Sequence, residues 1–432
     1  MNPCLIILLA ASYIFYALLD IRALPVLIGM SVLTYFFGSI IFNTARKSSE
    51  KRIISRNICL IFIGIQIAVL CFFKYSGLFP LPVGMSFYML MAISFLADVY
   101  RGEFEELPSI LEVLVYMSFF PTVISGPIMK SKDLIPQFKC RSKLTGERFS
   151  SGLWLIVIGA FMKLVMADRL AVAVDKVYAA PLVYSGLTLF VTSVTYTLQL
   201  LFDFAGYSYM AIGVAAILGY DIMQNFNLPY MSQNPSEFWR RWHISLSSWL
   251  KDYVYIPLGG SRKGTVRTYI NIFLVMVVSG LWHGSTVNFL IWGMLHGLGQ
   301  IVYRAFSHPG KDRDKKDAPA SYRRILSCLL NFLFVNFLWI PFRATDLRQA
   351  WTIFSRIITF QPGASYYYIY TFIFAAALLL VQFIGAKKSD GNNPIRLLPL
   401  SKMYAKIIFC IIIIATGMFA YFGNGAFIYA QF

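Results

Sequence analysis

Four histidines are present in this sequence, and two of them directly follow a tryptophan: His243 follows Trp242, and His283 follows Trp282. A neutral imidazole can accept a proton from a hydroxyl group, which is the task of a general base. The two Trp-His pairs are therefore the first candidates for catalysis.

His283 is expected to lie deep inside a membrane-spanning helix. An apolar run begins at Tyr269, and at ~1.5 Å per residue His283 would lie roughly 21 Å further along the helix. A titratable group at that depth is costly unless it faces a cavity. Gly280 and Gly284 have no side chains and would let a substrate or another helix approach the imidazole. The alternative is a packing histidine bonded to a neighbouring carbonyl.

The other histidines carry weaker indications of chemistry. His243 ends a stretch rich in Trp and Arg and is expected at the membrane interface, in a catalytic or donor-positioning role or in a structural hydrogen bond. His296 follows Trp292 by one helical turn, so it lines the same cavity as His283 or, as we favour, packs. His308 lies in a charged loop and is expected to be solvated.

Asp203 stands at the end of an apolar run, where acidic residues are rare unless they are paired. Its expected partner is an arginine or the backbone of a neighbouring interfacial segment. We favour a structural role for Asp203 over a catalytic one.

Metal and nucleotide cofactors are not expected. Within the apolar runs, no two histidines or carboxylates have the i, i+3 or i, i+4 spacing of a metal-binding helix. The sequence also has no Gly-rich nucleotide-binding loop. The chemistry is therefore assigned to side chains alone, with no bound cofactor.

The composition places these residues in a membrane protein. Hydrophobic residues make up 58% of the 432 residues and charged residues only 13%, too few for a soluble protein of this size. Lys and Arg outnumber Asp and Glu by 38 to 20, but the excess lies in short loops between apolar runs. This is the positive-inside pattern of membrane proteins rather than a nucleic-acid-binding surface.

Eleven apolar runs are long enough to cross a bilayer. Placing the basic loops in the cytoplasm puts the N-terminus inside the cell and the C-terminus outside. The first run is interpreted as a retained helix, because no charged segment or cleavage site accompanies it. The runs are 3–20, 23–43, 57–74, 82–99, 150–167, 184–202, 269–282, 286–305, 325–343, 366–386 and 403–422.

Three further segments are expected not to cross. The stretches 110–128 and 205–220 contain or adjoin Pro, Gly or Asp residues and are predicted to be re-entrant or interfacial, buried in protein. The segment 225–268 is rich in Trp, Tyr and Arg, residues of which Trp and Tyr favour the headgroup level. It is predicted to lie along the cytoplasmic interface and to dip inward.

The simplest organisation is all-α and a single membrane domain, 1–432. Within it we expect N-terminal helices at 1–107, a catalytic core with re-entrant segments at 108–306, a charged loop at 307–324 and C-terminal helices at 325–432.

Several motifs occur together in a fixed order. They resemble the membrane-bound O-acyltransferase superfamily, and within it the branch that includes alginate O-acetyltransferase and similar polysaccharide acetylation proteins. The match covers most of the chain, although relatives usually have another hydrophobic segment before the first run here. The motifs are PVGMSFY at 82–88, DVYRG at 98–102, SFFP at 118–121, GPI at 126–128, LFDFAGYS at 201–208, NFN at 225–227, FWRRWHISLS at 238–247, PLGG at 257–260 and GLWHG at 280–284.

The resemblance implies a helical fold with a central tunnel, in which an acyl donor is presented from the cytoplasm and the acyl group passes outward. The family's two functional histidines fall on His283, as general base or acyl relay, and on His243, as the accessory residue. The residues expected to position the donor or substrate are Trp242, Arg240, Arg241, Trp282, Asp203, Asn227 and Ser247.

The function expected from this resemblance is O-acylation of a cell-envelope or extracellular polysaccharide. Acetyl-CoA or an acyl-carrier thioester would be the donor, and an extracytoplasmic acyltransferase or acceptor-presenting protein the partner. D-alanyl transfer to teichoic acid is the second possibility. A lipid or proton-coupled transporter and a structural assembly subunit are alternatives of other classes, and paired intramembrane acids, expected of a transporter, are not evident in the sequence.

Overall fold

The structure is a computed structural model that describes residues 3–45, 49–140, 142–306, 321–388, 400 and 402–421. His308 and most of the charged loop predicted at 307–324 lie outside these residues. In the described part of the chain the regular structure is helical, with a single isolated bridge between Tyr184 and Ala364 instead of any strand. The all-α prediction is confirmed.

Seventeen α-helices follow one another along the described residues. π-helical turns follow the seventh and eleventh helices, and one 3-10 turn precedes the tenth. The helices are α1 (Pro3–Asp20), α2 (Leu24–Ala45), α3 (Ser49–Tyr75), α4 (Met85–Arg101), α5 (Ile110–Ser118), α6 (Ser131–Lys139), α7 (Gly146–Phe161), α8 (Asp168–Tyr178), α9 (Gly186–Leu218), α10 (Pro235–Arg241), α11 (Ile244–Leu250), α12 (Thr265–His283), α13 (Val287–Phe306), α14 (Ser321–Arg343), α15 (Leu347–Ile358), α16 (Ile369–Lys388) and α17 (Met403–Phe419).

Seven helical segments among the described residues are long and apolar enough to cross a membrane. They include two segments of 33 residues, Gly146–Tyr178 and Gly186–Leu218, each far longer than the ~20 residues that span a bilayer. The membrane character of the chain is confirmed, while the count of eleven spans remains a prediction.

The two predicted re-entrant stretches differ in the structure. In 110–128, α5 ends at Ser118 and the following backbone is irregular, with every residue of 121–130 buried, as expected of a segment enclosed by protein. The break predicted at the start of 205–220 is absent, because α9 continues into this stretch without interruption as far as Leu218. Gly206 and Gly213 do not interrupt the helix. They are sites of close packing against the α7 segment, where a Cβ would meet the carbonyl oxygens of Gly159 and Gly152 respectively.

Contacts divide the chain into two compact units. Among the described residues, the first comprises 3–156 and 207–224. The second comprises Val157–Gly206 and Asn225–Ile428. The predicted single domain and its subdivisions remain a prediction.

Motifs in the first unit act through packing and helix capping. Gly84 has a φ of 73°, and a Cβ there would collide with the carbonyl oxygen of Val123, so both conformation and space require glycine. Asp98 accepts hydrogen bonds from Ser131 Oγ at 2.7 Å and from the backbone N–H of Lys132 at 3.4 Å, at the start of α6. These motifs fix the ends of α4 and α6.

Candidate active site in the second unit

His283 is the last residue of α12 and is only 1% exposed. Its imidazole is surrounded by aromatic rings from three segments. The ring centroids of Trp292 on α13 and Phe342 on α14 lie 5.0 and 5.3 Å away, and both rings stand nearly edge-on to the imidazole. Trp282 packs against it from the preceding position at 4.8 Å. The imidazole is thus held in an aromatic cluster and not in contact with bulk solvent.

Glycines let α13 approach α12 at this point. A Cβ on Gly280 would collide with the carbonyl oxygen of Phe289, and a Cβ on Gly293 with that of Met276. A Cβ on Gly284 would overlap the ring of Phe289. The sequence offered two explanations for Gly280 and Gly284, namely space for a substrate or space for another helix. The structure shows the close approach of another helix. The glycines therefore place Trp292 beside His283.

His243 lies in the short connection between α10 and α11 and is fully buried. Its φ of 43° and ψ of 55° are left-handed, a conformation that a non-glycine residue adopts only when its surroundings hold it there. Phe204 on α9 packs against the imidazole with ring centroids 4.6 Å apart. Both the backbone and the ring of His243 are therefore fixed.

Hydrogen bonds define which nitrogen of His243 carries the proton. Asn225 Oδ1 accepts from the backbone N–H of Ser245 at 3.2 Å and from its hydroxyl at 2.9 Å. Because a backbone N–H can only donate, the Asn225 atom must be the oxygen, and His243 Nδ1, 3.1 Å away, must donate to it. In the neutral ring, Nε2 is then the basic nitrogen. Burial lowers the pKa of His243 to about 3, so this neutral form persists at physiological pH.

Trp282 brings the two candidate histidines into one cluster. Its ring lies 4.8 Å from the imidazole of His283 and 6.1 Å from that of His243. His296 joins the same cluster through Trp292, whose ring centroid is 4.9 Å away. Three histidines that are far apart in the sequence therefore lie along a continuous set of ring contacts.

The remaining predicted positioning residues take up different places. Trp242 is buried and stacks on Phe238 and against Trp339, in the part of the cluster around His296. Trp239, Trp242 and Trp249 of the segment 225–268 are all buried in protein. The position of this segment along the cytoplasmic interface remains a prediction.

Arg241 and Arg240 differ although they are adjacent. Arg241 forms an ion pair with Glu237 at 2.8 Å and donates to the backbone carbonyl of Asn227 at 3.3 Å, so it joins α10 to the preceding loop. Arg240 is exposed and makes no hydrogen bond or ion pair within the described residues. Ser247 donates to the carbonyl oxygen of Trp242 at 3.4 Å, one turn into α11.

Asp203 is paired with a lysine. Its Oδ1 lies 2.6 Å from Lys163 Nζ, and the same ammonium contacts Asp168 Oδ1 at 2.7 Å. The cation paired with Asp203 is therefore a lysine of the π-helical turn Met162–Ala167, and not the expected arginine. Two acids on apolar segments are thus paired through one lysine, which the sequence did not indicate.

Two contributors to the site were missed by the residue assignments. Asn225 orients His243, and Trp292 bridges His283 and His296. Asn225 opens the NFN motif at 225–227, and Trp292 precedes His296 by one helical turn, so both lay within patterns already singled out. Nothing in the spacing showed that Asn225 would meet His243 or that Trp292 would meet His283.

Comparison with known proteins identifies the family. Residues 69–345 match the model of the membrane-bound O-acyltransferase family. The chain is 37% identical to a probable alginate O-acetylase of Pseudomonas putida over 82% of this chain and 75% of that protein. It is 34% identical to a peptidoglycan O-acetyltransferase of Helicobacter pylori, covering 79% of this chain and 71% of that one. A teichoic acid D-alanyltransferase of Bacillus subtilis is 28% identical over 59% of this chain and 67% of its own length.

The chain belongs to the membrane-bound O-acyltransferase family. It is an acyltransferase and a multi-pass membrane protein. The predicted family and enzyme class are confirmed.

Proposed function

We propose that this enzyme passes an acetyl group from a cytoplasmic thioester to hydroxyl groups of an extracellular or cell-envelope polysaccharide. The observation that carries the proposal is the convergence of His283 and His243 on Trp282, in a chain similar to O-acetylating enzymes of two different polymers. Two fixed imidazoles in one apolar cluster suit proton transfer to and from oxygen.

His283 acts as the general base in this proposal. The acceptor oxygen attacks the thioester carbonyl carbon while its proton passes to the imidazole. The new C–O bond forms, the C–S bond breaks, and the departing sulfur takes the proton back from His283. The imidazole is neutral again and no metal is required. The hydroxyl belongs to the polymer itself or to a partner protein that relays the acyl group.

His243 supports this step as the accessory residue. Its Nδ1–H is committed to Asn225, so the ring is oriented, and its low pKa keeps it neutral. The left-handed backbone costs free energy, which fits a position maintained for function.

The donor is acetyl-CoA or the thioester of an acyl carrier protein, bound at the cytoplasmic face near Arg240. An exposed guanidinium with no protein partner among the described residues is suited to a phosphate of either donor. The N-terminus is cytoplasmic and the C-terminus extracytoplasmic in this proposal, with the polysaccharide acceptor and an acceptor-presenting or acyltransferase partner on the outer side.

Access to His283 requires movement. With only 1% of the residue exposed, His283 is closed off from solvent in this structure. The surrounding rings must separate to admit the thioester and the hydroxyl. Enclosure by aromatic rings also excludes water, which would otherwise hydrolyse the acyl group.

The test is replacement of His283 by Ala in cells that make the chain at its normal level. Mass spectrometry of envelope glycans from the variant and the parent reports both the acyl group and the polymer that bears it. We expect the ester to be lost in His283→Ala and retained in a His308→Ala control. Full acylation in His283→Ala would refute the proposal, and an alanyl ester in place of acetyl would assign the chain to D-alanyl transfer.

A further inference from the structure

Trp292 and His296 each present a buried N–H group that lacks an acceptor within the described residues. Both residues are 0% exposed, and neither Trp292 Nε1 nor His296 Nε2 has a hydrogen-bond partner. Buried donors are normally satisfied, so two such groups in ring contact with each other call for an explanation.

The hydrogen bond at Nδ1 of His296 shows which of its two ring nitrogens carries the proton. Trp239 Nε1 lies 3.3 Å from His296 Nδ1, and an indole N–H can only donate. Nδ1 is therefore the acceptor, and the proton of the neutral ring is on Nε2. His296 thus has the opposite tautomer to His243, whose Nδ1 donates to Asn225.

Trp292 lies beside the candidate base, and His296 lies beside Trp292. Trp292 and His296 are one turn apart on α13 and share a face of the helix, with ring centroids 4.9 Å apart. Trp292 is also in edge-on contact with His283 at 5.0 Å. An oxygen that entered between these rings would meet N–H donors next to a proton acceptor.

We propose that Trp292 and His296 bind the carbonyl oxygen of the acyl group that is transferred at His283. This inference rests on the proposed function. When the hydroxyl oxygen attacks, the carbonyl π electrons move onto that oxygen, and the two N–H groups donate to the resulting oxyanion. When the C–S bond breaks, the electron pair returns to the carbonyl. Two N–H donors that lack acceptors in the resting protein, in a site closed to water, stabilise the charged transition state.

The two nitrogens of His296 can be tested separately. In His296→Asn the amide oxygen can replace Nδ1 as the acceptor for Trp239, but the Nε2 donor is lost. In His296→Gln the amide nitrogen can replace the Nε2 donor, while the acceptor for Trp239 is lost. Trp292→Phe keeps an aromatic ring beside His283 and removes the indole N–H. Trp351→Phe, at an exposed position on α15, is the matched control.

The readout is the initial rate of ester formation on the polymer, per molecule of full-length chain in the membrane, with thermal unfolding of the purified variants measured alongside. We expect Trp292→Phe and His296→Asn to be about 100-fold slower than the parent at unchanged protein level. His296→Gln should retain more activity than His296→Asn, and Trp351→Phe should match the parent.

Three results would overturn the assignment: a parental rate in Trp292→Phe, a parental rate in His296→Asn, or a His296→Gln variant no faster than His296→Asn. If His296→Gln is no faster than His296→Asn, His296 serves only as the hydrogen-bond acceptor for Trp239. If His283→Ala is inactive while Trp292→Phe and His296→Asn are fully active, only the oxygen-binding role fails. An active His283→Ala would instead remove the proposed function.

Discussion

Lys163 Nζ lies 2.6 Å from Asp203 Oδ1, and this ion pair joins the π-helical turn after α7 to the middle of α9. The side chain of Asp203 is only 2% exposed and that of Lys163 is 15% exposed. The residue after Asp203 is Phe204, whose ring packs against His243. The ion pair therefore fixes the part of α9 that supports the accessory histidine.

Removal of the lysine should destabilise the protein strongly. In Lys163→Met the carboxylates of Asp203 and Asp168 would remain buried without their cation, at a cost of about 3–5 kcal/mol. Thermal unfolding of the detergent-purified chain measures this, with Lys143→Met, an exposed site, as the control. An unfolding temperature equal to that of the control would show that the ion pair does not hold α9.

Glycine packing between α12 and α13 should be sensitive to a single methyl group. In Gly280→Ala the new Cβ would collide with the carbonyl oxygen of Phe289, so we expect a loss of about 1–3 kcal/mol and reduced acylation. Gly64→Ala on α3 is the matched control, because nothing lies within 4 Å of a Cβ there. Equal stability of the two variants would argue against close packing beside His283.

The stability of the chain should depend on pH through His243. The folded pKa is about 3, while an exposed histidine titrates near ~6.5. Between these values the unfolded chain binds a proton that the folded chain does not, so the free energy of unfolding falls as the pH drops from ~6.5 toward ~3.

His243→Phe removes this contribution. The pH dependence of unfolding should become shallower in the variant, by up to ~1.4 kcal/mol per pH unit, whatever its stability at neutral pH. Unfolding measured from about pH 8 to about pH 4 tests the difference in slope. Parallel curves for the variant and the parent would mean that His243 is not buried in its neutral form.

Substitutions of the adjacent residues Arg240 and Arg241 should have different effects, one on donor binding and the other on stability. Arg241→Ala removes the ion pair with Glu237 and should lower stability by about 1 kcal/mol, since the pair is partly exposed. Arg240→Ala removes an exposed guanidinium and should leave stability unchanged while raising the apparent KM for acetyl-CoA. Transfer assays on membranes and thermal unfolding compare the two. A normal KM in Arg240→Ala would exclude Arg240 from donor binding.

The fold class and the family could be predicted from the sequence alone. The long apolar runs and the positive-inside pattern predicted a helical membrane protein, and the ordered motifs indicated the family. Both follow from local composition and from residues that are close in the sequence. The sequence suggested a break in the helix at 205–220 that the structure does not have. Asp203, Gly206 and Gly213 are residue types that often interrupt a membrane helix, and their spatial neighbours could not be known from the sequence. Lys163 compensates the charge, and packing against the α7 segment explains the glycines.

By itself the sequence determined that the chain is a helical membrane protein and which histidines are candidates for catalysis, because hydrophobicity and motif order are properties of the chain alone. The tertiary structure decided which groups meet. The contact of Trp292 with His283, the hydrogen bond of Asn225 to His243 and the ion pair of Lys163 with Asp203 join residues from separate segments. Such contacts depend on how helices pack, and the glycines on α12 and α13 set that packing only once both helices are in place.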